Sequence, residues 1–304
     1  MTVATTEAAT AAAAAPRGRA VVVALSAVRP RQWIKNLLLF AGLLFAAQLS
    51  DGSRWLEAAV AFCAYCLVAS AAYLVNDLCD VSEDRAHPVK RLRPIAAGDL
   101  PPRRALGLTV VLASVGLALA SWLGWRSLLF LIAFALLQLA YTLRIKQLAF
   151  ADITVIAVLF MIRSGAGAAA VHVRISPWLI ACTGLLALFL GLAKRRGELV
   201  LVERGATAGR LSLRAYSLPV IDAFLWATAA SAIAAYTIYT LVAHDSIEMV
   251  LTVPLVVAGV GRYLHLVRRH DLGEAPEHVL LSDHLLLAIV GLWVLAAAVI
   301  LGGA

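Results

Sequence analysis

The chain has 304 residues, of which 62% are hydrophobic and only 14% are charged, whereas soluble domains are about 45–50% apolar and about 25% charged. This composition excludes a soluble enzyme, a disordered chain and a disulfide-stapled secreted domain. The formal net charge of +8 favours basic cytoplasmic loops or an anionic substrate, and it argues against a nucleic-acid partner because the charge lies in short loops.

The predicted elements begin with a disordered cytoplasmic tail over residues 1–28, which starts as an Ala/Thr tract without the basic region of a signal peptide. Residues 29–304 are predicted to form a single transmembrane catalytic domain, an all-α polytopic membrane protein. A span needs about 20 apolar residues, and windowed apolarity predicts nine of them. Their ranges are 36–50, 56–76, 105–123, 127–143, 150–171, 177–193, 218–242, 246–264 and 281–302.

The loops between these spans alternate in charge. Almost all Lys and Arg residues fall on one side of the predicted membrane, and only Arg54, Arg126 and Arg174 fall on the other. Cytoplasmic loops are the basic ones, so we expect a multi-pass protein of the cell membrane with a cytoplasmic N-terminus and an external C-terminus. An odd number of spans agrees with this orientation.

An acidic motif follows the second predicted span, where residues 76–84 read NDLCDVSED. In a helix, Asp77, Asp80 and Asp84 share one face. Carboxylates this close together repel one another, and a divalent cation would relieve the repulsion. Oxygen ligands favour Mg²⁺, with Mn²⁺ as the alternative, and Asn76 would assist. The other interpretation is an acidic turn that caps the helix. A basic run follows the motif, with Lys90, Arg91 and Arg93 as candidate phosphate ligands.

These residues resemble the first aspartate-rich motif of the UbiA superfamily of intramembrane prenyltransferases. The resemblance is closest to the branch that transfers 5-phosphoribose from 5-phosphoribosyl 1-diphosphate to decaprenyl phosphate, for the synthesis of arabinan cell-wall precursors. The segments that carry it are RPRQWIKN (29–36), HPVKRLRPIA (87–96), YTLRIK (141–146) with Asp152, and AKRRGE (193–198). It implies nine helices around a central cavity, with Mg²⁺ and diphosphate bound on the cytoplasmic side.

The chain departs from ordinary members of the superfamily at their second acidic motif. The corresponding stretch contains Lys194, Arg195 and Arg196, and no Asp occurs after it until Asp222. A second metal–diphosphate site is therefore hard to build. The basic stretch suits a bare phosphate, either the 5-phosphate of the donor or the phosphate of a polyprenyl lipid, with Lys146 as a further candidate. The alternatives are a prenyltransferase that uses a prenyl diphosphate and an aromatic acceptor, and a transporter.

Four further candidates lie in or near the spans. Asp152 is expected to pair with Lys146 or to bind a ribose hydroxyl. Arg163 would meet a phosphate or line the lipid groove. For Asp152 and Arg163 alike, the alternative is a salt bridge between helices. Lys35 either binds phosphate or snorkels to the interface, and Tyr141 either binds substrate or anchors the interface. Membrane lipids are expected partners, and a homo-oligomer is left open.

Overall fold

The computed structural model describes residues 17–45, 50–87, 89–205, 213, 215–242, 247–269 and 276–303. Every regular element in these ranges is helical. The α-helices are α1 (Arg17–Val28), α2 (Ala41–Phe45), α3 (Gly52–Cys79), α4 (Val81–Ala86), α5 (Pro94–Ala97), α6 (Pro102–Trp122), α7 (Trp125–Leu143), α8 (Ala151–Ala170), α9 (Pro177–Glu203), α10 (Leu218–Val242), α11 (Val253–Arg269), α12 (Pro276–Ser282) and α13 (His284–Gly303). The 3-10 helices are Pro30–Phe40, Lys90–Leu92, Ile145–Gln147 and Ile247–Thr252.

Eight helical stretches in the described residues are long and apolar enough to cross a membrane. They are α3, α6, α7, α8, α9, α10, the stretch Glu248–Arg269 and α13. The last has the highest mean hydropathy, 2.8, although only 17% of its residues are buried in the protein. An apolar surface that the protein leaves uncovered is suited to lipid. The predicted class, an all-α polytopic membrane protein, is confirmed.

The first predicted span, 36–50, is the one that lacks a single long helix. Its chain runs through the 3-10 helix Pro30–Phe40 and α2, and residues 46–49 lie outside the described residues. This segment crosses α8 with backbone nearly touching backbone. A Cβ atom on Gly167 would lie 2.1 Å from the carbonyl oxygen of Leu39, and one on Gly42 would lie 2.5 Å from the nitrogen of Ala168. Small residues allow this approach, as is common between membrane helices.

Residues 17–28 were expected to belong to a disordered tail, and that expectation is wrong for them. They form α1, because apolar residues give the helix a face to bury. Ala27 is 1% exposed and packs in a cluster with Leu74, Ile95, Leu100 and Ala105. Residues 1–16 lie outside the described residues. The chain that leaves α1 is therefore held against α3 where the acidic motif begins.

Candidate active site

The acidic motif spans the junction between α3 and α4, where Asp80 has φ −99° and ψ 13°. The helical hydrogen bonds nevertheless continue across this break. The amide of Asp80 donates to the carbonyl of Asn76 at 3.0 Å, and the amide of Asp84 donates to the carbonyl of Asp80 at 2.8 Å. The predicted arrangement of the three carboxylates on one side of the helix is thus retained.

Two arginines reach Asp77, which is 3% exposed. Nη2 of Arg29 donates to both of its carboxylate oxygens, at 2.5 and 2.7 Å. Nη1 of Arg93 donates to Oδ1 of Asp77 at 3.2 Å and to Oδ2 of Asp84 at 2.7 Å. Asp77 and Asp84 therefore face the same small volume, and one guanidinium nitrogen lies between them.

The third carboxylate has a different cation. Nζ of Lys146 donates to the two oxygens of Asp80 at 2.6 and 2.8 Å, and Nδ2 of Asn76 donates to Oδ2 of Asp80 at 3.0 Å. Lys146 lies in the 3-10 helix that follows α7, so this ion pair ties α7 to the acidic motif. The pair between Asp152 and Lys146 considered from the sequence is not formed.

The oxygens of this cluster suit a hard divalent cation. Asp77 and Asp84 converge on one position, while Asp80 accepts from the amide of Asn76 and pairs with Lys146. No group of three or more His, Cys, Asp or Glu side chains close enough to hold a metal ion occurs among the residues that the structure describes. Basic side chains stand instead where the carboxylates meet, and a metal that needs all three carboxylates would have to displace them.

Sequence reasoning missed Arg29 as a site residue. The segment that carries it is fastened to α3 at Ser70, whose Oγ donates to the carbonyl of Val28 at 2.8 Å and accepts from Nε1 of Trp33 at 3.1 Å. Arg29 itself has a left-handed backbone, with φ 53° and ψ 63°, and its guanidinium lies 5.2 Å from the centre of the Tyr73 ring. The only signal in the sequence is the position of Arg29 within RPRQWIKN.

A second polar cluster lies between α8 and α9, and its central ion pair is buried. Arg195 and Asp152 are both 0% exposed, and Nε of the arginine is 3.0 Å from Oδ2 of the aspartate. Nη1 of Arg195 also pairs with Glu198, and Nη2 donates to the hydroxyl of Tyr141 at 3.4 Å. Tyr216 donates its hydroxyl hydrogen to Oδ1 of Asp152 at 2.9 Å.

This geometry bears on three predicted substrate ligands. Asp152 and Arg195 neutralise each other inside the protein, so neither presents a free charge to a ligand. Tyr141 is half-buried against Arg195. Burial raises the pKa of Tyr216 to about 12, so its hydroxyl stays protonated and donates to the aspartate. The cluster fixes α8 against α9, and Lys194, which is half-buried, remains the phosphate candidate of this stretch.

Two further candidates, Lys35 and Arg163, lie in different surroundings. Lys35 donates to Oε1 of Gln32 at 2.6 Å, and the hydroxyl of Tyr73 donates to the same oxygen at 3.4 Å, which places Lys35 beside the Arg29 segment. Arg163 is buried within the bundle, where Nε donates to Oδ1 of Asn36 at 2.9 Å and the guanidinium lies 4.6 Å from the centre of the Phe134 ring. No helix-to-helix salt bridge of Arg163 appears among the described residues.

The basic run follows the acidic motif along the chain. Nδ1 of His87 accepts from the amides of Val89 and Lys90 at 3.2 and 3.3 Å, which turns the chain after α4. Lys90 is half-buried and Arg91 is exposed. Arg93 is the member of this run that contacts the carboxylates of the motif in the described residues.

An apolar groove of about 340 Å³ lies elsewhere, between α7, α8 and α9. Its lining includes Phe130 near the start of α7 and Gly165 in the second half of α8, whereas Lys146 and Asp152 lie at the opposite ends of these helices. No charged side chain lines it. The groove therefore offers no charged group to a phosphate, whereas the acidic cluster and the basic residues paired with it do.

Residues 37–282 match the model of the UbiA prenyltransferase family. The chain is similar to three curated proteins named decaprenyl-phosphate phosphoribosyltransferase. It is 35% identical to that of Mycolicibacterium smegmatis, over 89% of both chains, and 36% identical to that of Corynebacterium glutamicum, over 89% of this chain and 84% of the relative. It is 36% identical to that of Mycobacterium tuberculosis, over 94% of this chain and 97% of the relative.

Solved structures share the fold at lower identity. A UbiA homolog from Archaeoglobus fulgidus bound to GPP and Mg²⁺ superposes with a TM-score of 0.73 at 16% identity, covering 93% of this chain and 100% of that chain. A digeranylgeranylglyceryl phosphate synthase superposes with a TM-score of 0.67, also at 16% identity, covering 93% and 99%. At this identity the likeness concerns the arrangement of the helices.

Proposed function

This chain belongs to the UbiA prenyltransferase family, and we propose that it transfers 5-phosphoribose from 5-phosphoribosyl 1-diphosphate to decaprenyl phosphate and releases diphosphate. The observation that carries this proposal is the identity of 35–36% to three phosphoribosyltransferases over most of each chain. The polar cluster supplies what that reaction needs, namely carboxylates for a metal–diphosphate complex and cations for the remaining phosphate oxygens.

The reaction breaks the bond between C1 of the ribose and the diphosphate and forms a bond from C1 to an oxygen of the lipid phosphate. The lipid phosphate is anionic at neutral pH, so no strong general base is required. The protein has to hold two anions side by side and to stabilise the departing one. Arg93 and Lys146 pair with the acidic motif, and together with Lys90 from the adjoining loop they would bind oxygens of the leaving diphosphate.

We assign the metal to the same cluster. Asp77 and Asp84, which converge on one point, and Asp80 with Asn76 would hold Mg²⁺, or Mn²⁺ in its place. The ion would neutralise the diphosphate as it leaves. Support for this assignment comes from the oxygen-only donor set and from the Mg²⁺ in the related Archaeoglobus structure.

The acceptor side of the site is proposed to lie toward α9. Lys194 would bind either the 5-phosphate or the lipid phosphate, with Arg91 and Lys35 at the rim. Arg195 supports this region through its buried pairs and does not itself touch the substrate. From the distribution of Lys and Arg, we propose that the site lies on the cytoplasmic face of the cell membrane and that the C-terminus lies outside.

Incubation of the purified chain with 5-phosphoribosyl diphosphate labelled in the ribose, decaprenyl phosphate and Mg²⁺ tests the proposal. We expect a labelled lipid and free diphosphate, and we expect neither from Asp77→Asn. A parallel reaction offers a prenyl diphosphate and an aromatic acid. Prenylation of the acid, with no label in the lipid, would replace our proposal by the prenyltransferase alternative.

A further inference from the structure

We propose that Arg29 couples metal binding to diphosphate binding. Its guanidinium holds Asp77 in the ligand-free protein, and it moves onto a phosphate oxygen when a divalent ion takes that carboxylate. The inference rests on the proposed metal–diphosphate site. The inference adds Arg29, which lies outside the acidic and basic motifs, to that site. It also implies that the divalent ion binds tightly only when diphosphate is present.

The contacts of Asp77 are the first argument. A carboxylate has about four lone-pair positions. Three hydrogen bonds from Arg29 and Arg93 already occupy those of Asp77, whose side chain is 3% exposed. An ion that arrives alone must therefore displace a guanidinium. Asp84 and Asp80 are paired in the same way with Arg93 and Lys146, so the ligand-free cluster is close to neutral and attracts a cation weakly.

The backbone of Arg29 is the second argument. A left-handed backbone conformation is unfavourable for a residue with a side chain, and it persists only where the surrounding structure enforces it. Here the enforcing contacts are those of Ser70 with Val28 and Trp33, and none of them involves Asp77. The backbone of Arg29 is thus fixed independently of its ion pair, and releasing Asp77 requires only rotation of the side chain.

The freedom and the chemistry of the guanidinium are the third argument. The Arg29 side chain is 23% exposed and lies over the Tyr73 ring, so it stands at the open edge of the cluster. Beside a divalent ion it would be repelled unless anionic oxygens are added. Diphosphate supplies such oxygens, and a guanidinium matches phosphate geometry well. Coupling of this kind is reciprocal, so diphosphate must raise the affinity for the metal.

The test measures Mn²⁺ binding by electron paramagnetic resonance, with the full chain in nanodiscs of zwitterionic lipid and inorganic diphosphate as the probe. Complexes of Mn²⁺ with diphosphate in solution are the same for every protein, so the comparison is between variants. Asp77→Asn defines the signal that belongs to this site. For wild type we expect weak binding of Mn²⁺ alone and an increase of about tenfold with diphosphate, within the usual range of coupling.

In Arg29→Gln we expect Mn²⁺ alone to bind about fivefold more tightly, and the gain from diphosphate to fall to about twofold. Arg31→Gln is the matched control, because Arg31 is exposed and lies two residues along the same segment. It removes the same charge and should behave as wild type. An equal effect in both variants would reduce the role of Arg29 to general electrostatics and overturn the proposal.

The proposal is also overturned if Arg29→Gln binds Mn²⁺ alone no better than wild type, or if its gain from diphosphate is unchanged. If Arg29→Gln fails to fold, Arg29→Lys decides. One nitrogen of Arg29 holds both oxygens of Asp77, so an ammonium group can keep that contact, but it lacks the planar pair of donors that matches phosphate. The gain in Mn²⁺ affinity from diphosphate should therefore fall in Arg29→Lys, and an unchanged gain refutes the proposal. This experiment uses neither 5-phosphoribosyl diphosphate nor decaprenyl phosphate. A negative result for the coupling is therefore distinct from a failure to label decaprenyl phosphate in the activity assay.

Discussion

The buried pair of Arg195 and Asp152 leads to a prediction that separates a structural role from substrate binding. In Arg195→Met the side chain keeps a similar length and loses its charge. Asp152, which is fully buried, is then left without this cation, and Glu198, which is 14% exposed, loses its contact with Arg195. Removing one partner of a buried ion pair typically costs about 3–5 kcal/mol.

The surroundings of Asp152 place the expected loss toward the lower part of that range. Its Oδ1 still accepts from Tyr216 at 2.9 Å and from the amide of Ile153 at 2.8 Å, and hydrogen bonds of this kind stabilise a carboxylate. We therefore expect the free energy of unfolding of Arg195→Met to fall by about 3 kcal/mol. The measurement is a denaturation titration with SDS in mixed micelles.

A double-mutant cycle isolates the pair. When Asp152→Asn is combined with Arg195→Met, no buried charge is left uncompensated between these two positions. The double variant should lose less stability than the sum of the single variants, by about 2 kcal/mol. Lys194→Met is the control, because it removes the adjacent cation from a half-buried position and should change unfolding little while raising KM.

The opposite pattern would refute this reasoning. If Arg195→Met unfolds as wild type does and raises KM for the donor or the lipid phosphate, the guanidinium must reach a substrate in the working protein. The buried network would then not describe the active state, and the phosphate role expected for Arg195 from the sequence would stand.

Three further predictions concern packing, metal and orientation. Gly167→Ala should lower the free energy of unfolding by at least about 2 kcal/mol, because the new methyl group meets backbone at 2.1 Å; Gly107→Ala, with open space around it, is the control in the same titration. Asp77→Asn and removal of divalent ions with EDTA should each abolish lipid labelling while the protein stays folded, and activity that survives EDTA would exclude the metal role. A reporter fused after Gly303 should be external and one inserted at Gly205 cytoplasmic; a cytoplasmic C-terminus would mean an even number of spans.

The spans were predictable because apolarity marks the part of a helix that lies in lipid. The predicted segment 218–242 coincides with α10, and 127–143 differs from α7 by two residues at its start. The same criterion fails at helix ends. α9 was predicted to stop at residue 193 and continues to Glu203, since backbone hydrogen bonding does not stop where the membrane does.

That extension explains why the contacts of Arg195 were not predicted from the sequence. Treated as part of a loop, a run of basic residues suggests a surface for phosphate. On a continuing helix, Arg195 and Glu198 are three residues apart on one face and pair directly, and Arg195 faces Asp152 at the start of α8. The sequence contained both acids, but the distance from Arg195 to Asp152 depends on how α8 packs against α9.

The first cluster shows the complementary case. The spacing of Asp77, Asp80 and Asp84 was sufficient to predict a shared face, because it depends only on local helical geometry. Which cations meet them was not predictable. Lys146 is 66 residues from Asp80 in the sequence, and Arg29 is 48 residues from Asp77. The left-handed backbone at position 29 was also not predictable, because the residue there is an arginine and not the glycine that usually marks this conformation.

Exposure, more than charge, distinguishes the cations that can serve a substrate from those that hold the fold. Arg29, Arg93 and Lys146 are 23%, 25% and 13% exposed while paired with the acidic motif, so each can exchange a carboxylate for a phosphate at the open side of the site. Arg195 is 0% exposed, and withdrawing it from Asp152 would leave an unpaired charge in the interior. Arg29, Arg93 and Lys146 are thus assigned to the reaction because a metal ion could replace them at their carboxylates, whereas Arg195 is kept as the partner of Asp152.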